Sequence, residues 1–294
     1  MILVLGGHGQ LGTELVIRAG IAGVPLTPVS HADVDVADPK TIARAIAKFR
    51  PTLIVNCAAY NNVDKAETQA AAAMRTNALG ASVAAASAKR AGLPIIHIST
   101  DYVFDGEKTT LYREDDPVGP LNVYGRSKEK GEEGVRNGHA QHLILRTSWL
   151  YGIHGTNFLK TVVRLAAERD KLGFVAAQRG SPTSTAELAK AILTAAAAIA
   201  EGKAPWGTYH VAGAGSTSRH GLAMAIVDAQ ARFTGRRPSI EVIAVPEPPA
   251  AARRPANSAL DSSKFAATFG YVPGSWEEAV ERTVKELFAG KGAP

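Results

Sequence analysis

The sequence predicts an α/β fold: a doubly wound parallel sheet followed by a smaller C-terminal lobe. Three observations carry that expectation. A short apolar strand at the N-terminus runs directly into a glycine-rich turn and a helix. Further apolar strand segments then alternate with helical stretches through residues 1–152, a rhythm of βα units that calls for parallel strands joined by crossover helices. After residue 152 the rhythm loosens into shorter, less regular elements, as a second lobe would.

In order, Ile2 to Leu5 reads as the first buried strand. The turn Gly6-Gly7-His8-Gly9-Gln10-Leu11-Gly12 follows, with glycines at Gly6, Gly9 and Gly12, and a helix from Thr13 to Ala19. Between a strand and a helix, such glycines permit a tight turn, close backbone approach to a pyrophosphate and tight helix–strand packing. The anion then sits on the free N–H groups of the helix start. A plain glycine-rich βα loop is the alternative. Val24 to Val29 is the second strand, and it ends in Ser30-His31, with acids only later, at Asp33 and Asp35. No carboxylate stands at the strand end to repel a 2′-phosphate, so the lean is to NADPH over NADH, unless Asp33 or Asp35 swings back.

Asp38-Pro39 caps a helix to about Phe49, and Leu53-Ile54-Val55-Asn56 is the third strand, ending in the small residues Cys57-Ala58-Ala59 and Tyr60. Ala70 to Ala91 reads as one long alanine-rich helix. The fourth strand, Pro94 to Ile98, delivers Ser99-Thr100-Asp101 to its carboxyl end, where open parallel sheets bind their ligands. A helix from Asn122 to Gly138 and a fifth strand, His142 to Arg146, complete this half. In the second half, helices are expected at Asn157–Arg169, Ala186–Glu201, Ser218–Phe233 and Trp276–Phe288. Strands are expected at Gly207–Val211 and Ile240–Val245, with a proline- and alanine-rich loop from Pro246 to Pro255 and a frayed tail to Pro294. Residues 1–152, completed by parts of 172–215, would form one domain, and 153–294 mainly the second lobe.

Composition narrows the function. The single cysteine, Cys57, allows no internal disulfide and fits a reducing compartment. No apolar run approaches the ~20 residues that span a bilayer, and the N-terminus lacks a basic region before its apolar strand. The expectation is a cytoplasmic protein. Net charge is +6, but the basic residues are scattered and not interleaved with aromatics, which argues against a nucleic-acid partner.

The chemistry centres on Tyr124 and Lys128. Four residues apart on a helix, they share one face. A free phenol has a pKa near ~10, and a nearby ammonium lowers it, which suits a group that exchanges a proton with a carbonyl or alcohol oxygen. The pair also occurs by chance on exposed helices. Thr100, at the strand end just before that helix, could hold a carbonyl oxygen or simply close a turn.

Glycine turn, strand-end hydroxyl, Tyr-x-x-x-Lys and second lobe occur in this order. The chain resembles the extended short-chain dehydrogenase/reductase superfamily, with its Rossmann-type sheet, and within it the dTDP-4-dehydrorhamnose reductase family. The motifs span nearly the whole length and include Gly9-Gln10-Leu11-Gly12, Asn56-Cys57-Ala58-Ala59-Tyr60 and Ser99-Thr100-Asp101-Tyr102-Val103-Phe104-Asp105-Gly106. Others are Pro120-Leu121-Asn122-Val123-Tyr124-Gly125, Thr147-Ser148-Trp149-Leu150-Tyr151-Gly152, Asn157-Phe158, Gly180-Ser181-Pro182-Thr183 and Arg254-Pro255-Ala256-Asn257-Ser258.

The resemblance implies that NADPH or NADH lies along Gly6 to Gly12, Asp35-Val36 and Ala58-Ala59, with Lys128 on the nicotinamide ribose. Tyr124 would protonate the oxygen formed when a 4-keto nucleotide sugar is reduced, Lys128 lowering its pKa and Thr100 holding the keto oxygen. Asp101, Val103, Phe104 and Trp149 would contact the sugar. Arg253-Arg254 are candidates for its diphosphate by charge alone, with solvated loop charges as the alternative. Some family members dimerise around magnesium. Glu14 matches one such position, but no full ligand set can be matched, so no metal is predicted and a homodimer is left open. The sequence departs from the family at Asn61-Asn62 and Ser30. Rival readings on the same fold are a nucleotide-sugar dehydratase or epimerase, or a non-catalytic regulatory subunit of methionine adenosyltransferase. Dehydratases follow the threonine with Asp-Glu, and here Tyr102 follows Asp101.

Overall fold

The structure is a computed structural model that describes residues 1–243 and 252–290. Its centre is a six-stranded, all-parallel sheet. The first half of the chain supplies β1 (Ile2–Leu5), α1 (Gln10–Ile21), β2 (Leu26–Val29), α2 (Pro39–Phe49), β3 (Leu53–Asn56), α3 (Val63–Thr68), α4 (Ala70–Met74), α5 (Gly80–Arg90), β4 (Ile95–Thr100), α6 (Val123–Gly138) and β5 (His142–Thr147). The second half adds β6 (Leu150–Tyr151), α7 (Phe158–Glu168), β7 (Lys171–Val175), β8 (Arg179–Gly180), β9 (Thr183–Ser184), α8 (Thr185–Ala200), β10 (Gly207–His210), β11 (Thr217–Ser218), α9 (Arg219–Thr234), β12 (Ser239–Ile243), α10 (Ser263–Phe269) and α11 (Trp276–Ala289).

Strand order in the sheet is β10-β5-β4-β3-β1-β2. The order turns back between β1 and β3, so a crevice opens beyond the carboxyl ends of these strands. The doubly wound expectation holds, and β10 from the second half supplies the sixth strand. Period-two alternation packs both faces. Ile2, Val4, Val55, Ile96 and Leu145 face α1 and α8 through Leu11, Leu15, Leu188 and Ile192. Leu3, Leu5, Ile54, Ile95 and Ile144 face α2 and α5. Each fully buried leucine or isoleucine contributes roughly 1.5–3 kcal/mol, so these two layers hold the sheet's loops in place.

The alanine-rich stretch is helical from Ala70 to Arg90, as expected, but a π-helical turn at Arg75–Leu79 divides it into α4 and α5. Ala81, Ala84, Ala85 and Ala88 are buried against the sheet, so the alanines serve close packing. The wide turn buries Asn77, whose amide Oδ1 accepts from the Tyr60 N–H at 2.7 Å while Nδ2 donates to the Tyr60 carbonyl and to Ser127 Oγ on α6. The loop after β3 is thereby tied to α6, and propensity alone does not reveal such a tie.

The second lobe has its own core, built from Leu159 and Val162 of α7, Leu222 and Ile226 of α9, and Val280 and Val284 of α11. The sequence marked neither β7 nor α10. The last residues of the strand expected to reach Val245, the loop from Pro246 through residue 251 and the tail to Pro294 lie outside the described residues. None of the described helices is long and apolar enough to cross a membrane.

Candidate active site

A cleft of about 400 Å³ lies beyond the carboxyl ends of the sheet strands. The glycine turn forms one wall. Gly6 has a φ of +71°, and an added Cβ would come within 2.8 Å of the Ala58 backbone. At Gly12 an added Cβ would come within 2.5 Å of Gly7, so only glycine lets α1 start this close to the turn. Gly9 is the N-cap of α1, with no side-chain cap and no acid in the first turn. An added Cβ there would meet only the Gly6 carbonyl, at 3.3 Å, on the side of the cleft. Free N–H groups at an uncapped helix start, facing a space that glycine keeps open, fit the pyrophosphate of a dinucleotide. Gly6, Gly9, Gln10, Leu11, Gly12 and Ala59 all line the cleft. Ala58 instead donates its N–H to Asn56 Oδ1 at 3.1 Å.

The opposite wall carries the proton chemistry. Helix α6 is capped twice: Asn122 Oδ1 accepts from the Gly125 N–H at 2.7 Å, and Glu67 accepts from the Val123 N–H at 2.8 Å. One turn of this helix brings Tyr124 and Lys128 into the cleft beside Thr100, as the spacing predicts. Burial pushes the Tyr124 phenol above its ordinary value, opposed by the adjacent Thr100 hydroxyl. Lys128 is almost wholly buried and donates from Nζ to the Ile98 carbonyl at 2.6 Å. Burial brings the lysine down to about 8. The net direction expected for the tyrosine is therefore not met in this geometry, because desolvation of the phenol dominates. A raised phenol stays protonated at neutral pH, which fits an acid.

Thr100 donates its hydroxyl to Asp101 Oδ1 at 3.0 Å and accepts from the Tyr102 N–H at 3.2 Å. Asp101 Oδ2 accepts from Ser148 at 2.8 Å and Ser258 at 2.6 Å. Burial raises this carboxyl and the three hydroxyls pull it back. Both oxygens are thus engaged, and Asp101 acts as an anchor for Thr100. To donate towards a sugar oxygen, the Thr100 hydroxyl has to turn away from Asp101.

Trp149 lines the cleft in a left-handed conformation, φ +46°, which is costly for a bulky residue and persists only when its surroundings impose it. Gly180 provides the room: an added Cβ there would lie 2.4 Å from the indole. Asn157 joins the lobes, donating to Gln10 Oε1 on the glycine turn at 2.6 Å.

Several expected residues stand elsewhere. Val103 and Phe104 are fully buried, and Phe104 stacks on Tyr112 with ring centroids 4.2 Å apart, so these are core residues rather than sugar contacts. Val36 belongs to the core under α5, and Asp35 is gripped by Arg75 through two bonds of 3.1 and 2.6 Å. Arg253 is exposed, while Arg254 binds Asp64 at 2.7 Å, and neither is among the residues lining the cleft. The arginine that does line it is Arg219, which no local motif marks because it comes from the second lobe. Asn61, one of the departures, lines the cleft, and Asn62 caps α3 by accepting from the Lys65 N–H. Cys57 also lines it, but burial pushes its thiol up to about 12, too high for a reactive thiolate. Glu14 is engaged by Arg18 at 2.7 Å, and among the described residues no acid or histidine cluster could hold a metal.

Comparison with known proteins agrees with this geometry. A family profile described as the RmlD substrate binding domain matches residues 1–289. A dTDP-4-dehydrorhamnose reductase from Burkholderia thailandensis is 40% identical over 98% of this chain and 99% of its own length. Among solved structures, a dTDP-4-dehydrorhamnose reductase from Clostridium acetobutylicum superposes with a TM-score of 0.89 at 35% identity, covering 97% of this chain and 99% of that one. The Bacillus anthracis reductase, solved in complex with NADP, gives 0.88 at 34% identity, covering 97% of this chain and 98% of that one. With its glycine turn, Tyr124, Lys128 and Thr100 in one cleft and this likeness over its full described length, the chain belongs to the RmlD family of dTDP-4-dehydrorhamnose reductases.

Proposed function

We propose that the chain reduces the C4 keto group of dTDP-4-dehydro-6-deoxy-L-mannose to give dTDP-L-rhamnose, with NADPH as the preferred reductant. A reduced nicotinamide held in this cleft would supply the hydride to C4, with Lys128 placed to hold its ribose and the glycine turn to hold its pyrophosphate. The developing oxyanion takes its proton from the Tyr124 phenol, and Thr100 steadies the same oxygen. Residues 1–152, with the segment that ends in β10, serve the cofactor, while 153–294 mainly close over the sugar.

The observation that carries this reading is the meeting of Tyr124, Lys128 and Thr100 with an uncapped helix start in one cleft. Elimination would need a free carboxyl. Asp101 is the only acid among the described residues lining the cleft, and both its oxygens are occupied. Preference for NADPH is supported by Ser30 just after β2, where no carboxylate stands, and by both nearby acids being engaged, Asp33 on Ser30 and Asp35 on Arg75. Incubating the protein with the 4-keto sugar nucleotide should deplete the reduced nicotinamide absorbance, with kcat/KM higher for NADPH than NADH. No depletion with either cofactor would refute the reading, and a strong NADH preference would refute the cofactor choice.

Lys128 supplies a pH test. Its function as a charged ribose ligand needs the proton, and burial brings its pKa to about 8. Since kcat/KM reports groups of the free enzyme, it should fall as pH rises through about 8. Lys128→Arg, which stays charged, should move that limb to higher pH even at a reduced rate. A Lys128→Arg profile that still bends near 8 would assign the limb to another group.

A further inference from the structure

Arg219 is a cation in a costly place. It opens α9, where the helix dipole disfavours positive charge, and the first turn holds no acid. Its guanidinium carbon lies 3.6 Å from the Trp149 ring centroid and 5.0 Å from that of Phe158, so the planar group is clamped on aromatic faces inside the cleft. Burial lowers its pKa, opposed by the Tyr102 phenol and, more weakly, by the Asp101 carboxylate. Among the described residues no carboxylate comes within ion-pair distance of it, whereas Arg254, across Tyr102, is matched by Asp64 at 2.7 Å. A half-buried charge without an ion-pair partner at the wrong end of a helix costs stability unless something else offsets it. The helix start adds partial positive charge to the same spot, so an incoming anion would be drawn by both.

We propose that Arg219 anchors the diphosphate of the nucleotide-sugar substrate and is a specificity-determining residue of this chain. The inference rests on the nucleotide-sugar reading of the cleft. Stacking fixes the guanidinium plane while its N–H donors stay available, the arrangement that suits bidentate recognition of phosphate. The cofactor also carries a diphosphate, so the two sources have to be separated.

The test is a titration of the full-length protein with dTDP, thymidine and NADPH, for the wild type, Arg219→Ala and Arg219→Gln. Thermal melts should show that the variants are folded. The wild type should bind dTDP far more tightly than thymidine. Both variants should lose about 10- to 100-fold in dTDP affinity while thymidine and NADPH binding stay within about twofold. With the sugar nucleotide, KM should rise by a similar factor and kcat should change little. Unchanged dTDP affinity in folded Arg219→Gln would overturn the inference and leave the reductase reading intact. Loss of NADPH affinity instead would overturn it by giving the arginine to the cofactor. A wild type that does not distinguish dTDP from thymidine would remove the nucleotide-sugar reading itself, and the inference with it.

Discussion

Tyr124→Phe should lower kcat for reduction of the keto sugar by about 10²- to 10⁴-fold, the range that one general acid supplies. The change deletes a single hydroxyl. The ring keeps its edge-to-face contact with Tyr102, 5.9 Å between centroids, so the helix start and the cleft wall remain. KM for the sugar and affinity for the cofactor should therefore stay within a few-fold, and unfolding free energy within about 1 kcal/mol. This split between kcat and KM marks an interaction made only as the oxyanion develops. Burial holds the phenol protonated across neutral pH, so the tyrosine is ready to donate without any prior step. Should the variant retain most of its kcat under saturating sugar and cofactor, the proton would have to come from Thr100 or water, and the assignment would fall.

What could be read from the sequence, and what could not, follows from the range of the interactions involved. The glycine turn was legible because backbone geometry at Gly6 and Gly12 leaves no choice of residue. Tyr124 and Lys128 were legible because helical periodicity alone puts them on one face. Thr100 came from the rule that strand ends meet ligands. Every correction involves a partner far away in the chain. Asp35 is neutralised by Arg75, forty residues on, across a π turn that alanine-rich sequence does not announce. Phe104 follows a strand-end motif but stacks on Tyr112 and meets His210 edge-on, so its burial depends on β10. Arg219 reaches the cleft only once the second lobe has folded against the first. The direction of the Tyr124 shift was missed for a related reason: it is set by burial, which depends on the whole fold around the phenol, and the carbonyl of Ile98 that binds Lys128 leaves no trace in sequence.

The group that braces the catalytic wall is Glu132, one turn beyond Lys128. It is fully buried and accepts four bonds: from Ser99 Oγ at 2.6 Å, from Arg146 Nε and Nη2 at 2.9 and 2.7 Å, and from Arg136 at 2.9 Å. Burial alone would raise its pKa, but the bonds and charge of Arg146, with Ser99 and Arg136, outweigh it and bring the value to about 2. Ser99 immediately precedes Thr100, so one carboxylate ties the end of β4 to the helix carrying Tyr124 and Lys128. Glu132→Ala leaves Arg146, 3% exposed, without a counter-ion, and should cost about 3–5 kcal/mol in denaturant unfolding. The sign with pH follows from the depressed value. The stabilisation is fully present above 4.5, the ordinary carboxyl value, and is lost as pH falls towards 2. Wild type should therefore lose stability across that window, and Glu132→Gln should lose much less, being already destabilised at neutral pH. A Glu132→Leu, Arg146→Met double variant removes both charges and should recover much of the stability but not of kcat, because the tie to Ser99 stays broken. If Glu132→Ala cost less than about 1 kcal/mol, the ion pair would be spectator to the fold. If the double variant recovered kcat with stability, Glu132 would have no part in positioning Thr100.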